Sequence, residues 1–188
     1  MPARFLLFAV LGWPAAGSAA EILSVSVEKE QGVYYVESEV WIDAELQPVY
    51  EVFADWDVAE QFSSFIVESR DLAPDGDGNA GFYVSNRGCL LFFCKTVVRT
   101  GTVQAEPHEV LRATADPERS DFHLSEESWT FRVEREGTVV LYRNRMKPKF
   151  WIPPAIGTWM MKRKLQRDGG QAMERIEAIA QDWNIDRE

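Results

Sequence analysis

The sequence predicts an α+β domain in which a curved antiparallel sheet wraps around one long C-terminal helix. Three observations carry that expectation. Runs of alternating apolar and polar residues fill most of positions 22–147, turn residues separate them, and the one long helical pattern comes last.

Residues 22–28 alternate, Gln31-Gly32 breaks the pattern, and residues 33–42 resume it as the second arm of a hairpin. Asp43 stands where it would cap a helix through Val49–Phe53, in which Pro48 must occupy the first turn. Residues 55–64 suit a second short helix, and 65–69 return to strand. Strands at 79–89, 92–104, 109–115, 122–135 and 138–147 form a meander, with Glu136-Gly137 as a tight turn. Pro153-Pro154 then opens the terminal helix, which runs to about Trp183 with Ile156, Trp159, Met160, Met173, Ile176 and Ile179 on its apolar side. Gly169-Gly170 inside it costs about 1–2 kcal/mol against alanine, so a close approach, a bend or a fray is expected there.

The first residues set the expected compartment. Arg4 precedes the apolar run Phe5–Trp13, and small residues follow up to Ala20, the pattern of a secretory signal peptide over residues 1–20. Cleavage is expected after Ala20, with Ala19 or an uncleaved anchor as alternatives, and the protein is expected to be exported, to the periplasm in a bacterium. The remaining 168 residues (188 less 20) suit one domain, residues 21–188, expected to act as a monomer. No later segment is long and apolar enough to be a membrane helix.

Without Arg4, 19 basic residues face 30 acidic ones, which argues against nucleic acid as a partner. The charge is unevenly placed. Residues 21–136 hold 9 basic and 24 acidic side chains, whereas residues 137–188 hold 10 and 6. Cys89 and Cys94 are the whole thiol inventory. Export and the four intervening residues favour a disulfide across a short turn, worth about 2 kcal/mol on the chain-entropy account; two free buried thiols or a two-ligand metal site are the alternatives.

Hairpin, short helices, long meander and terminal helix is also the order of a known family. Residues 42–57, Ile-Asp-Ala-Glu-Leu-Gln-Pro-Val-Tyr-Glu-Val-Phe-Ala-Asp-Trp-Asp, resemble the opening helix of START-like (SRPBCC superfamily) proteins of the polyketide cyclase/dehydrase and coenzyme Q-binding type. Residues 142–157, from Tyr142-Arg-Asn-Arg-Met to Pro-Pro-Ala-Ile-Gly157, resemble that family's last strand entering its long helix. Pro48 departs from the family, whose proline stands nearer the helix start. The resemblance implies the helix-grip fold, with two short helices near the N-terminus, and a pocket for a lipid, quinone or other hydrophobic molecule between sheet and helix.

Alternation nominates the lining of that pocket. Trp129, Phe131 and Val133 share one face of their strand, Val140, Tyr142, Asn144 and Met146 share one face of the next, and Trp159, Met160 and Met173 would come from the helix. Plain core is the alternative role for each. Arg143, Arg145, Lys147, Lys149, Lys162, Arg163, Lys164 and Arg167 crowd the entry to the helix beside Phe150 and Trp151. Such a patch suits peripheral contact with anionic lipid or an acidic partner, or is simply a solvated face.

Catalytic signatures fail. Gly76-Asp-Gly78-Asn-Ala-Gly81 has the letters of a dinucleotide loop without the strand before and helix after, and Asp75, Asp77 and Asn79 start a calcium-loop pattern that Ala80 and Asn86 break. His108 and His123 lack ligand spacing, although His123 stands within reach of Asp121 or Glu127 for acid-base work. The expectation is therefore non-enzymatic binding or transfer without a metal or cofactor, with a cyclase/dehydrase or hydrolase working in the same pocket as the alternative.

Overall fold

The computed structural model describes residues 20–90, 93–152 and 157–185, apart from the side chains of 89, 90, 93, 184 and 185. Residues 1–19 of the leader expected over 1–20, and Pro153, Pro154 and Ile156, lie outside the described residues. The chain forms β1 (Glu21–Glu30), β2 (Val33–Ile42), α1 (Leu46–Ala54), a 3-10 turn at Ala59–Gln61, β3 (Ile66–Leu72), β4 (Ala80–Leu90), β5 (Phe93–Glu106), β6 (Val110–Ala115), β7 (Phe122–Glu134), β8 (Gly137–Pro148) and α2 (Gly157–Ile185). One antiparallel sheet takes all eight strands in the order β1-β2-β8-β7-β6-β5-β4-β3. The last strand thus returns to lie beside the first hairpin, and α2 packs back across the inner face, which is the helix-grip arrangement.

Three register shifts, at Ile22/Ser24, Ile66/Glu68 and Phe122/Leu124, add the local twist that lets so wide a sheet curl. The core lies on the inner face, where Val40, Ile42, Val84, Leu111 and Val140 meet Val49 and Val52 of α1 and Ala172, Ile176 and Ala180 of α2. Tyr50 and Phe53 of α1 clasp Phe131 edge-on at 5.4 and 5.5 Å, contacts each worth about 0.5–1.5 kcal/mol beyond the area they bury.

Local chemistry corrects several expectations. Asp43 does not cap α1: the N-cap is Glu45, with no side-chain bond, while Asp43 donates its N–H to Glu177 (2.9 Å) and its C=O accepts from Gln181 (2.6 Å). The loop before α1 is thereby tied to the far end of α2. Pro48 is the third residue of α1, where a missing N–H costs nothing. The second helix expected over 55–64 shrinks to the single turn at Ala59–Gln61, followed by Phe62, which is buried against the core.

The first hairpin turns through Gln31 (φ 48°) and Gly32 (φ 83°), both left-handed as a two-residue turn requires. The β7–β8 turn is Arg135-Glu136, not Glu136-Gly137, since Glu134 pairs directly with Gly137 and Arg135 takes φ 58°. Gly137 is needed for a different reason: a Cβ there would stand 2.3 Å from the Ile42 carbonyl oxygen. Gly169 and Gly170 leave α2 unbroken; a Cβ at Gly170 would make only an ordinary 3.8 Å contact with Ile22.

The tightest approach is at Gly101, where a Cβ would fall 1.9 Å from the Thr114 carbonyl oxygen of the adjoining strand. Backbone in mid-sheet cannot withdraw without breaking ladder bonds. Gly101→Ala is therefore expected to lower unfolding stability by about 1–3 kcal/mol in a urea titration, whereas Gly76→Ala, with open space around it, should unfold as the wild type does.

Candidate ligand pocket

Between the inner face of the sheet and α2 lies a cavity of about 540 Å³. That falls within the range of pockets for small organic ligands, roughly 300–1,000 Å³. Its wall is mostly apolar, and one side is a run of aromatic rings: Trp56 meets Trp129 at 6.1 Å and Trp129 meets Tyr142 at 5.5 Å, while Phe82 of the core stacks on Trp56 at 4.5 Å. Arg87 and Gly88, at the end of β4, are exposed members of the wall and mark its opening to solvent. Lys164 of α2 stands beside them, its ammonium 3.2 Å from the centre of the Phe65 ring, while the Phe65 carbonyl accepts from the Arg87 N–H at 2.7 Å.

Of the residues that alternation and helical phase nominate, Trp129, Val140, Tyr142, Asn144, Met146 and Met173 line the cavity. Phe131, Trp159 and Met160 do not. Phe131 points to the same side of β7 as Trp129 but is covered by α1, so it is core, and Val133, one step further, is 69% exposed at the strand end. On α2 the lining follows the stripe Met161, Leu165, Asp168, Ala172, Ile176. Trp159 lies two residues, about 200° of helix rotation, from Met161, and it is 61% exposed with the Arg163 guanidinium over its ring at 5.4 Å.

The wall also holds a polar cluster that the sequence reading did not assemble. Arg99 of β5 pairs with Glu127 of β7, their side chains only 16% and 5% exposed. Asn144 Nδ2 donates to Glu127 Oε1 (2.6 Å) and to the Tyr142 hydroxyl (2.9 Å). Asn144 Oδ1 is buried with no hydrogen-bond partner among the described residues, as is Trp56 Nε1 further along the wall. Burial pushes the Tyr142 hydroxyl up from its ordinary value, opposed by Arg99 and the bond from Asn144, so it keeps its proton at neutral pH. Burial also pushes Arg99 down, opposed by Tyr142, yet a guanidinium starts so high that it stays charged. Glu127 was legible: it alternates in phase with Trp129.

The eight cations do not make one surface. On β8, Tyr142, Asn144 and Met146 face the cavity, so Arg143, Arg145 and Lys147 point to the opposite side of the sheet, where Arg143 pairs with Glu37 and Arg145 with Glu126. Lys149 donates to the Pro117 carbonyl, and Phe150 is half-buried against Phe122 rather than exposed. Lys164 and Arg167 both pair with Asp168.

Neither histidine lines the cavity. His108 sits in a turn at φ 63° and meets Tyr50 edge-on at 5.2 Å, while His123 is exposed and Asp121 is engaged by the Val98 N–H. Asp75 closes the 75–79 turn through the N–H groups of Asp77 and Asn79, bonds from Asn79 that hold its carboxyl below the usual range. Asp55, Asp57 and Asp71 have carboxylates within 4.8 Å of one another; burial first, then Asp57 and Asp55, push Asp71 up.

Residues 42–174 match the family described as polyketide cyclase / dehydrase and lipid transport. The chain belongs to that family. No curated protein sequence matches the chain. Among solved structures, a STAR-related lipid transfer protein from Xanthomonas axonopodis superposes with TM-score 0.58 at 17% identity, covering 84% of this chain and 98% of that one. Human STARD10 gives 0.59 at 13% identity over 85% and 74%, and the Zhui aromatase/cyclase from Streptomyces sp. R1128 gives 0.59 at 14% over 79% and 94%. At such identities the likeness establishes the fold of the polyketide cyclase and lipid transport family, and no more.

A charge pair in an apolar wall is costly to break. Glu127→Gln leaves Arg99 charged, buried and unpaired, and is expected to destabilise by about 3–5 kcal/mol, whereas the double replacement Arg99→Met, Glu127→Leu should come within about 1 kcal/mol of the wild type or exceed it. Denaturant unfolding of the three proteins checks both expectations.

Proposed function

We propose that the protein binds and hands on an apolar molecule bearing a neutral hydroxyl at one end. The family includes lipid-transport proteins and cyclases alike, so the choice rests on the site. The observation that carries it is the way the polar cluster is already spent. Arg99 and Glu127 cancel each other's charge, and both Asn144 amide hydrogens are engaged. At the Asn144–Tyr142 end of the cluster one acceptor stays open, the Asn144 carbonyl oxygen, and beside it one donor, the proton of the Tyr142 hydroxyl that accepts from Asn144. A hydroxyl gives one hydrogen bond and takes one. A carboxylate there would meet a cation that Glu127 already neutralises and would bring its own charge beside Glu127.

The second reading is an enzyme of the cyclase/dehydrase or hydrolase kind. It needs a general base poised near neutrality, and the groups lining the cavity argue against one: Tyr142 holds its proton, the carboxylates Glu127 and Asp168 are paired with cations, and the histidines stand elsewhere. Export through residues 1–20 and a Cys89–Cys94 disulfide belong to the same proposal. The disulfide is supported by the β4–β5 register, which sets Cys89 directly opposite Cys94.

Titration with a long-chain fluorescent alcohol should give saturable binding of one molecule per chain, and the matching carboxylate should bind at least about tenfold more weakly. Trp129→Ala, if still folded by its melting curve, should weaken the alcohol by about 1–3 kcal/mol. Absence of saturable binding would defeat the proposal, and turnover of a polyketide or ester substrate lost in Tyr142→Phe would favour the enzyme. Thiol titration of denatured, unreduced protein isolated from the periplasm should find no free thiol; two would remove the disulfide.

A further inference from the structure

The first half of α2 has two unlike sides. Its inner side, Met161, Lys164 and Leu165, walls the cavity near the opening marked by Arg87 and Gly88. Its outer side carries Lys162 and Arg163, both exposed and, among the described residues, without a carboxylate partner. Trp159 projects beside them at 61% exposure, and Trp151 at 78%. Ile152 packs against the first residue of α2, a Cβ on Gly157 falling 3.0 Å from it, so Trp151 also stands at this end of the helix.

The charge is as uneven as the apolarity. Residues 157–168 hold Lys162, Arg163, Lys164 and Arg167 against Asp168 alone, whereas residues 169–185 hold Arg175 against Glu174, Glu177 and Asp182. A chain of net charge −10 thus presents one cationic helix end, tipped with two indoles and placed next to the opening of an apolar cavity. Indoles favour the boundary between water and acyl chain, where the ring is desolvated and the N–H stays wet. Exposed arginine and lysine in the same plane are drawn to anionic head groups.

We infer that this end of α2, with Trp151, Trp159, Lys162 and Arg163, docks on an anionic lipid bilayer and presents the cavity opening to it. The acidic remainder of the molecule is repelled by the same surface, which orients the approach. Arg163 over the Trp159 ring holds the indole outward, so the apolar and cationic contacts are offered together. Docking does not require an occupied cavity, and it stands or falls separately from the choice of ligand.

The test is co-sedimentation with vesicles of phosphatidylcholine alone and of phosphatidylcholine mixed with phosphatidylglycerol. The wild type should bind the anionic vesicles and release them as salt rises, while the neutral vesicles bind weakly. Lys162→Glu with Arg163→Glu should lower partitioning by roughly 25-fold or more, taking about fivefold per cation removed. Trp159→Ala should lower it while leaving the salt dependence unchanged. None of these residues lines the cavity, so each variant should keep the wild-type affinity for the alcohol probe and the wild-type far-ultraviolet spectrum. Equal binding to both vesicles, no binding to either, or a charge-reversed protein that still sediments would overturn the inference; in the second case an acidic protein becomes the occupant to seek.

Discussion

Hydrogen bonds clamp the second half of α2 to the loops beside it, and the cavity lies beneath the helix from Met161 to Ile176. In its second half Ala172, Ile176 and Ala180 are buried, Glu177 and Gln181 grip the backbone of Asp43, and Arg175 donates to the Phe62 carbonyl. Its first half has no such hydrogen bonds among the described residues: Gly157 is buried beside Tyr34, Lys164 lies over the Phe65 ring, and Met161 and Leu165 are half-buried in the cavity wall. A strongly curved sheet cannot be filled by the side chains of a single helix along its whole length. The clamp fixes the far end of the helix, and with it Ala172 and Ile176, which belong both to the core and to the cavity wall. Burial favours the neutral form of Glu177, although the Asp43 N–H offsets part of that shift, so the clamp itself is made at some electrostatic cost.

The wall of that cavity also holds a buried charge pair. Arg99 with Glu127 does little for stability, since an apolar pair of similar volume would serve as well or better. Its consequence is local. It fixes Glu127 to accept from Asn144, which aligns Asn144 with Tyr142 and leaves the Asn144 carbonyl oxygen an unmatched acceptor in a mostly apolar wall. That alignment is what supports the proposed recognition of one neutral group at the end of an apolar body.

Much of the fold was legible, because alternation survives even a steep curve: β2, β7 and β8 lie within a residue or two of where their patterns place them, and the inward phase of β8 is correct for Val140, Tyr142 and Asn144. Expectations failed where a second layer intervened. Phe131 has the right phase, but α1 covers it; Trp159 has the right apolarity, but the helix turns it outward. The basic cluster is compact along the chain and divided in space, because a strand sends neighbours to opposite faces. Arg99 and Glu127 come from strands separated by β6, and nothing in their local sequence announces the partner.

The central claim is that the space beneath α2 is a ligand site and not merely loose packing. Native mass spectrometry of the protein purified from its own host, followed by organic extraction, tests it most directly. The account predicts a complex of one chain with one small apolar molecule, released on denaturation and carrying a hydroxyl but no acid group. Protein of bare chain mass that also takes up no alcohol from solution would contradict it.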